Sequence, residues 1–260
     1  MRKYNLSITQ KICFAGIFIV LVAILQKVIP PLPFAPFIRV SLGGCALIMF
    51  SSILLGPWFG LLVGAASDLI GFAIFDPKTV TAFPMFQITF IYALLGFISY
   101  FVFKWIMKIK KDNIAMIVEL ATFGVIATAV SLIVNLVPSI TLYGKEYTFD
   151  LTAKILIPII SFILLGLLFI INFFIDRRFK KKEKDISVYK ISFACFLLEL
   201  GVMLLFGSAM KTWGFNMFYG VTPFIYVFIC QLIVGLFNIP INTLIISYIT
   251  LFSDRMFKQY

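Results

Sequence analysis

Two carboxylates stand inside stretches that are otherwise apolar. Asp68 lies in GPWFGLLVGAASDLIG (56–71), and Glu199 lies in KISFACFLLELGVMLLF (190–206). A charged side chain at the centre of a bilayer costs about 2.5–3.5 kcal/mol on insertion scales. Each carboxylate therefore has to face protein, water or a solute. Asp68 also ends a pattern, because Gly56, Gly60 and Gly64 precede it at four-residue intervals. Four helical steps advance about 400°, so such a stripe drifts slowly around one face. Glycine costs roughly 1 kcal/mol against alanine in a helix interior, and in lipid its return is close approach of a neighbouring backbone. Asp68 stands about 16 Å along the helix from Pro57. It is placed either to clamp helices together or to touch a ligand.

The other polar groups within apolar runs are Glu119, Gln231, Asn238 and Asn242. Glu119 sits near one end of its run, where it is expected to snorkel or pair with a lysine. The amides of NIPIN (238–242) flank Pro240, which removes a helical hydrogen bond, and they are expected to satisfy the carbonyl it frees. There is no histidine, so Ser/His, Cys/His and HExxH chemistry is absent. Cys13, Cys45, Cys195 and Cys230 lie far apart and read as buried thiols, not as a metal or redox set. Gly144 and Lys145 are followed by Glu146, which does not make a phosphate-cradling loop. The expectation is a protein that is no enzyme and carries no metal or cofactor of its own.

The elements that must position these groups follow from composition. Hydrophobic residues make up 62% of the 260 and charged residues 13%, against about half and a quarter in soluble domains. Apolar runs near 12–29, 40–56, 58–75, 83–106, 114–139, 152–175, 189–209 and 222–251 predict an all-α polytopic membrane bundle of about eight transmembrane helices, one integral domain over 1–260. The basic residues gather at Arg2–Lys11, Lys104–Lys111, Arg177–Lys190 and Arg255–Lys258. With both termini cytoplasmic, 16 of the 22 fall inside, as the positive-inside rule requires. The net charge of +11 then reflects topology and anionic lipid in a multi-pass cell-membrane protein, with no nucleic-acid partner.

Prolines and aromatics collect in the predicted outer loops. A ligand site is expected there, between PPLPFAPFIR (30–39), the outer ends of spans three and four, and the loop 211–219. Its candidates are Arg39, Asp68, Gln87, Lys211, Trp213, Asn216 and Tyr219. These combine an apolar, aromatic wall with a few placed polar groups, and Arg39 offers a bidentate fork to a carboxylate.

GPWFGLLVGAASDLIG is similar to the GPxxGxxxGxxxDxxG signature in the third helix of S components of energy-coupling-factor vitamin transporters, the folate-type branch in particular. The end of the chain, FGSAMKTWGFNMFYGVTPFIYVFICQLIVGLFNIPINTLI, resembles that branch's last outer loop and helix. Residues 10–107 and 189–252 carry the resemblance, while 113–185 form an additional helix pair where the family usually has six spans. The resemblance implies a subunit that binds folate or a related vitamin from outside. It also implies assembly with a transmembrane partner and two ATPase subunits that use the ATP. Ala15 and Ala23, with Gly56, Gly60 and Gly64, would then serve helix packing or partner docking. The alternatives are a self-sufficient secondary transporter of a small solute and a membrane assembly protein that transports nothing.

Overall fold

The computed structural model describes residues 6–27, 43–75, 85–109, 112–137, 139–142, 145–180, 187–219 and 222–256. Helices α1 (Ile8–Lys27), α2 (Gly44–Leu55), α3 (Pro57–Phe75), α4 (Phe86–Ile106) and α5 (Asp112–Leu136) precede a hairpin of β1 (Ser139–Leu142) and β2 (Lys145–Thr148). Then come α6 (Leu151–Lys180) and α7 (Val188–Leu198). A π-helical turn segment (Glu199–Phe206) joins α7 to α8 (Gly207–Tyr219), and α9 is Phe224–Met256. Seven of the described helical rods, counting 188–218 as one, are long and apolar enough to cross a membrane. The chain is an all-α polytopic membrane bundle with one small hairpin.

Two cores hold it. One joins α1 through α4 with α7, around Ile48, Met49, Ile91, Leu95, Phe103 and Ile106. The other joins α5, α6 and α9 around Phe123, Ile157, Ile233 and Leu236. Helix α1 illustrates how one face is chosen. Ala15, Phe18 and Val22 are buried at helical spacing, while Ile12, Ile17, Val20 and Ile24 are exposed, as suits a helix with one side on protein and one on lipid. Ala15 and Ala23 belong to the buried side, at 7% and 2% exposure. Both pack within this chain.

Three expectations are corrected. The second apolar run, anticipated over 40–56, forms a helix of only 12 residues, about 18 Å long, too short to cross the roughly 30 Å hydrocarbon layer alone. Its bounds are set by Gly43 and Gly56, with φ of 87° and 104°, a region that L side chains avoid. The seventh run does not stop near 209; it continues as helix to Tyr219. The segment anticipated as a loop at 211–219 is therefore helical. Finally, the connection 137–150 holds a hairpin in which Ile140 pairs with Tyr147. Ile140 is fully buried against the second core, and its alternation of β-branched and polar residues favours a strand.

Candidate functional site

The glycine stripe meets a second glycine. A Cβ on Gly60 would lie 2.6 Å from Gly96 O and 2.6 Å from Ser52 Cβ; one on Gly64 would strike Tyr92 O, and one on Gly96 would strike Gly60 O. Helices α3 and α4 thus touch backbone to backbone, antiparallel, with residue 60 beside 96 and 64 beside 92. Gly56 is different, since nothing lies within 4 Å of its Cβ position. It forms the α2–α3 turn, donating its N–H to Ser52 O, and does not belong to the packing face.

Asp68 occupies the next step of that face. Its Oδ2 accepts a 2.6 Å hydrogen bond from Thr89 Oγ1 on α4, and the residue is 6% exposed. Two residues earlier on α4, Gln87 donates Nε2–H to Met217 Sδ at 3.3 Å. Gln87 Oε1 has no hydrogen-bond partner among the described residues and faces Gly214, whose Cβ would lie 3.2 Å away. A side chain at Gly214 would require the Gln87 amide to give way by a few tenths of an ångström.

Because the chain stays helical to Tyr219, Lys211 projects within the bundle, half-buried. Its Nζ donates to Gln231 Oε1 on α9 at 2.7 Å. The fields of Asp68 and Glu199 act on this ammonium. Glu199, 3% exposed, accepts a 2.8 Å hydrogen bond from Asn242 Nδ2, and the Cys45 thiol is another partner. Asn242 Oδ1 in turn accepts the Ala46 N–H at 3.4 Å. The amides near Pro240 were expected to mend its broken backbone bond, yet Asn242 instead ties Glu199 to the amino end of α2. A helix amino end carries a partial positive charge, suited to a neighbouring carboxylate.

These contacts form separate polar pairs at different depths of the bundle. Gln231 lies seven residues, about 10 Å, into α9, and Asn242 eighteen residues, about 27 Å. Asp68 is held by Thr89, Glu199 by Asn242 and Lys211 by Gln231, so acidic and basic groups share one interior. These are the kinds of group that a solute with donors, acceptors and a charge would need as partners. Buried charges also fix register and geometry among helices, and here they do so for α2, α3, α4, α8 and α9.

The remaining candidates separate. Trp213 is 49% exposed and meets Phe86 edge-on with ring centroids 6.2 Å apart, on the bundle's outer surface and not in its interior. Asn216 is exposed and accepts the Thr222 N–H at 2.6 Å, bracing the α8–α9 connection. Arg39 lies outside the described residues, as does the side chain of Tyr219. Thr89 and Gly96 belong to the site without having been singled out by sequence, and Cys45, read there only as a buried thiol, is beside Glu199. Gly96 alone carried a signal, as the small residue in the helix that follows the glycine stripe.

Among the described residues no group of three or more Cys, Asp or Glu is placed to hold a metal ion, and the four cysteines are free thiols. No family model, no curated protein and no solved structure matches this chain.

Proposed function

We propose that the chain is the solute-binding membrane subunit of a vitamin uptake system. Its ligand would be an organic molecule of the vitamin class, folate-related by the sequence resemblance, entering at the end of the bundle where α8 meets α9. The observation that carries this reading is the set of polar groups inside the bundle, Gln87, Asp68, Lys211 and Glu199, with Gln87 Oε1 unpartnered among the described residues. Lys211 would meet an acidic group of the ligand, Asp68 and Gln87 its ring donors. The reading keeps the even number of crossings expected from the basic clusters by counting α2 as part of one, with both termini in the cytoplasm and the hairpin outside. Energy would come from a transmembrane partner with two ATPases, consistent with a sequence that has no phosphate-cradling loop of its own.

A specific observation favours one alternative. Carboxylates beside a short helix whose amino end lies inside the bundle are also the hardware of ion-coupled transporters. Liposomes containing this chain alone separate the two. The proposal expects saturable binding of a vitamin without accumulation. Concentrative uptake driven by a sodium or proton gradient would overturn it and establish a self-sufficient transporter.

A further inference from the structure

Glu119 does not snorkel as its position in the sequence suggests; it is 3% exposed and hydrogen-bonded to Ser192 at 2.6 Å inside the bundle. Gln87, at the start of α4, is as deeply buried and only half served. Its Nε2–H goes to Met217 Sδ at 3.3 Å, and its Oε1 has no partner among the described residues. The amide stands this way round because a thioether accepts and never donates, so a flipped carbonyl would gain nothing from the sulfur. Met217 itself is 62% exposed, the one exposed methionine among the described side chains, whereas Met49 is fully buried. It stands one turn beyond Trp213 and two residues from the end of α8. Beside it, the exposed Asn216 accepts the Thr222 N–H. A half-exposed tryptophan near a helix end sits at headgroup level, and Met217 lies past it, so solutes in water reach the sulfur.

We propose that Met217 is a modification site, oxidised by peroxide to the sulfoxide, and that the modification tightens the α4–α8 seam through Gln87. A sulfur lone pair attacks one oxygen of hydrogen peroxide and the O–O bond breaks. The other oxygen takes the proton and leaves as water, so sulfur loses two electrons and the peroxide gains them. A thioether is a weak acceptor, while the sulfoxide is polar and chiral and carries an oxygen that accepts fully. Met217 is mostly outside the packed core, so the added oxygen finds room there. It takes over the Gln87 Nε2–H from the sulfur. Gln87 is not free to swing away, because Gly214 of α8 packs over it, with its Cβ position 3.2 Å from Oε1. The stronger bond is therefore felt by the two helices, and α8 is pinned to the start of α4. Dedicated reductases return methionine sulfoxide to the thioether, which resets the seam. The modification is independent of which solute the bundle binds.

The test uses the full chain purified in detergent and treated with graded hydrogen peroxide. Peptide mass spectrometry follows each methionine, and thermal unfolding compares treated with untreated protein. Met217 is expected to gain one oxygen roughly tenfold faster than Met49, with the unfolding midpoint rising by about 2–4 °C. Met217→Leu keeps the bulk without the sulfur and should show no peroxide-dependent shift. Gln87→Leu removes the donor, so Met217 should still oxidise while the shift disappears. Gln87→Met, which keeps the length of the side chain, takes its place should Gln87→Leu fail to fold. Oxidation of Met49 as fast as Met217 would overturn the proposal. So would a midpoint that stays or falls once Met217 is oxidised, or a shift that persists without the Gln87 amide.

Discussion

Lys211 on α8 and Gln231 on α9 face each other at equal depth, joined by a 2.7 Å hydrogen bond from Nζ to Oε1. Lys211 is eight residues before the end of α8, and Gln231 is seven residues after the start of α9. The pair holds together two helices that run in opposite directions, and it presents the ammonium to Asp68 and Glu199. Removing the acceptor alone should therefore be worse than removing both partners. Gln231→Leu is expected to cost about 1.5–3 kcal/mol, the range for a hydrogen bond to a charged group. Adding Lys211→Met should restore part of that loss, since no ammonium is then stranded. Thermal unfolding in detergent of the two single variants and the double checks this, and strict additivity would show that the pair is not coupled.

The α3–α4 contact makes sharply graded predictions. Gly64→Ala places a methyl against the Tyr92 backbone and Gly96→Ala places one against Gly60 O, where neither backbone can retreat without parting the helices. Each should destabilise by about 1–3 kcal/mol, the usual cost of overpacking, and Gly60→Leu should do so at least as much. Gly16→Ala, with nothing within 4 Å, should be neutral or slightly stabilising, because alanine is the better helix former. Folded yield on size exclusion and the unfolding midpoint report the order; equal behaviour of Gly16→Ala and Gly64→Ala would contradict it.

Glu199 and Asn242 provide a test of what the interior carboxylate is for. Glu199→Gln keeps an oxygen to accept from Asn242 and should remain folded. Glu199→Leu leaves the Asn242 amide buried without its acceptor, costing about 1–3 kcal/mol. If ligand binding needs the charge, Glu199→Gln loses affinity with its unfolding midpoint unchanged. A loss of stability equal in both variants would make the carboxylate structural only.

Topology is open to direct labelling. Single cysteines at residue 108, in the α4–α5 connection, and at residue 146, in the hairpin, are to be placed in a chain lacking the native four. An impermeant thiol reagent applied to intact cells should label position 146 and spare position 108 until the membrane is opened. The reverse pattern would invert the bundle.

Much of this arrangement was legible, and the rest was hidden for identifiable reasons. The stripe of Gly60, Gly64 and Asp68 announced a close helix contact because its residues are neighbours in sequence. Its counterpart could not be read, since Gly96 and Thr89 become partners only once α4 runs antiparallel at a particular offset. The segment 207–219 looked like a loop because it carries Ser208, Lys211, Thr212, Gly214 and Asn216. In a bundle these residues satisfy themselves. Ser208 Oγ donates to Leu204 O and Thr212 Oγ1 to Ser208 O, a back-bonding pattern that hides hydroxyls within a helix. That is why Lys211 enters the interior while Trp213 turns outward. The shortness of α2 depended on Gly43, where a Cβ would come within 2.5 Å of Ile245, a contact between residues some two hundred positions apart.

The central claim is that the polar groups Gln87, Asp68, Lys211 and Glu199 receive a vitamin-class solute, and one titration bears on it most directly. Purified protein is titrated with folates, riboflavin and thiamine while tryptophan fluorescence is followed, with Lys211→Met run in parallel. The account predicts a saturable response to at least one of these compounds, weakened in Lys211→Met while that variant elutes as folded protein. A saturable response of equal affinity in Lys211→Met, or none to any of the compounds, would contradict it.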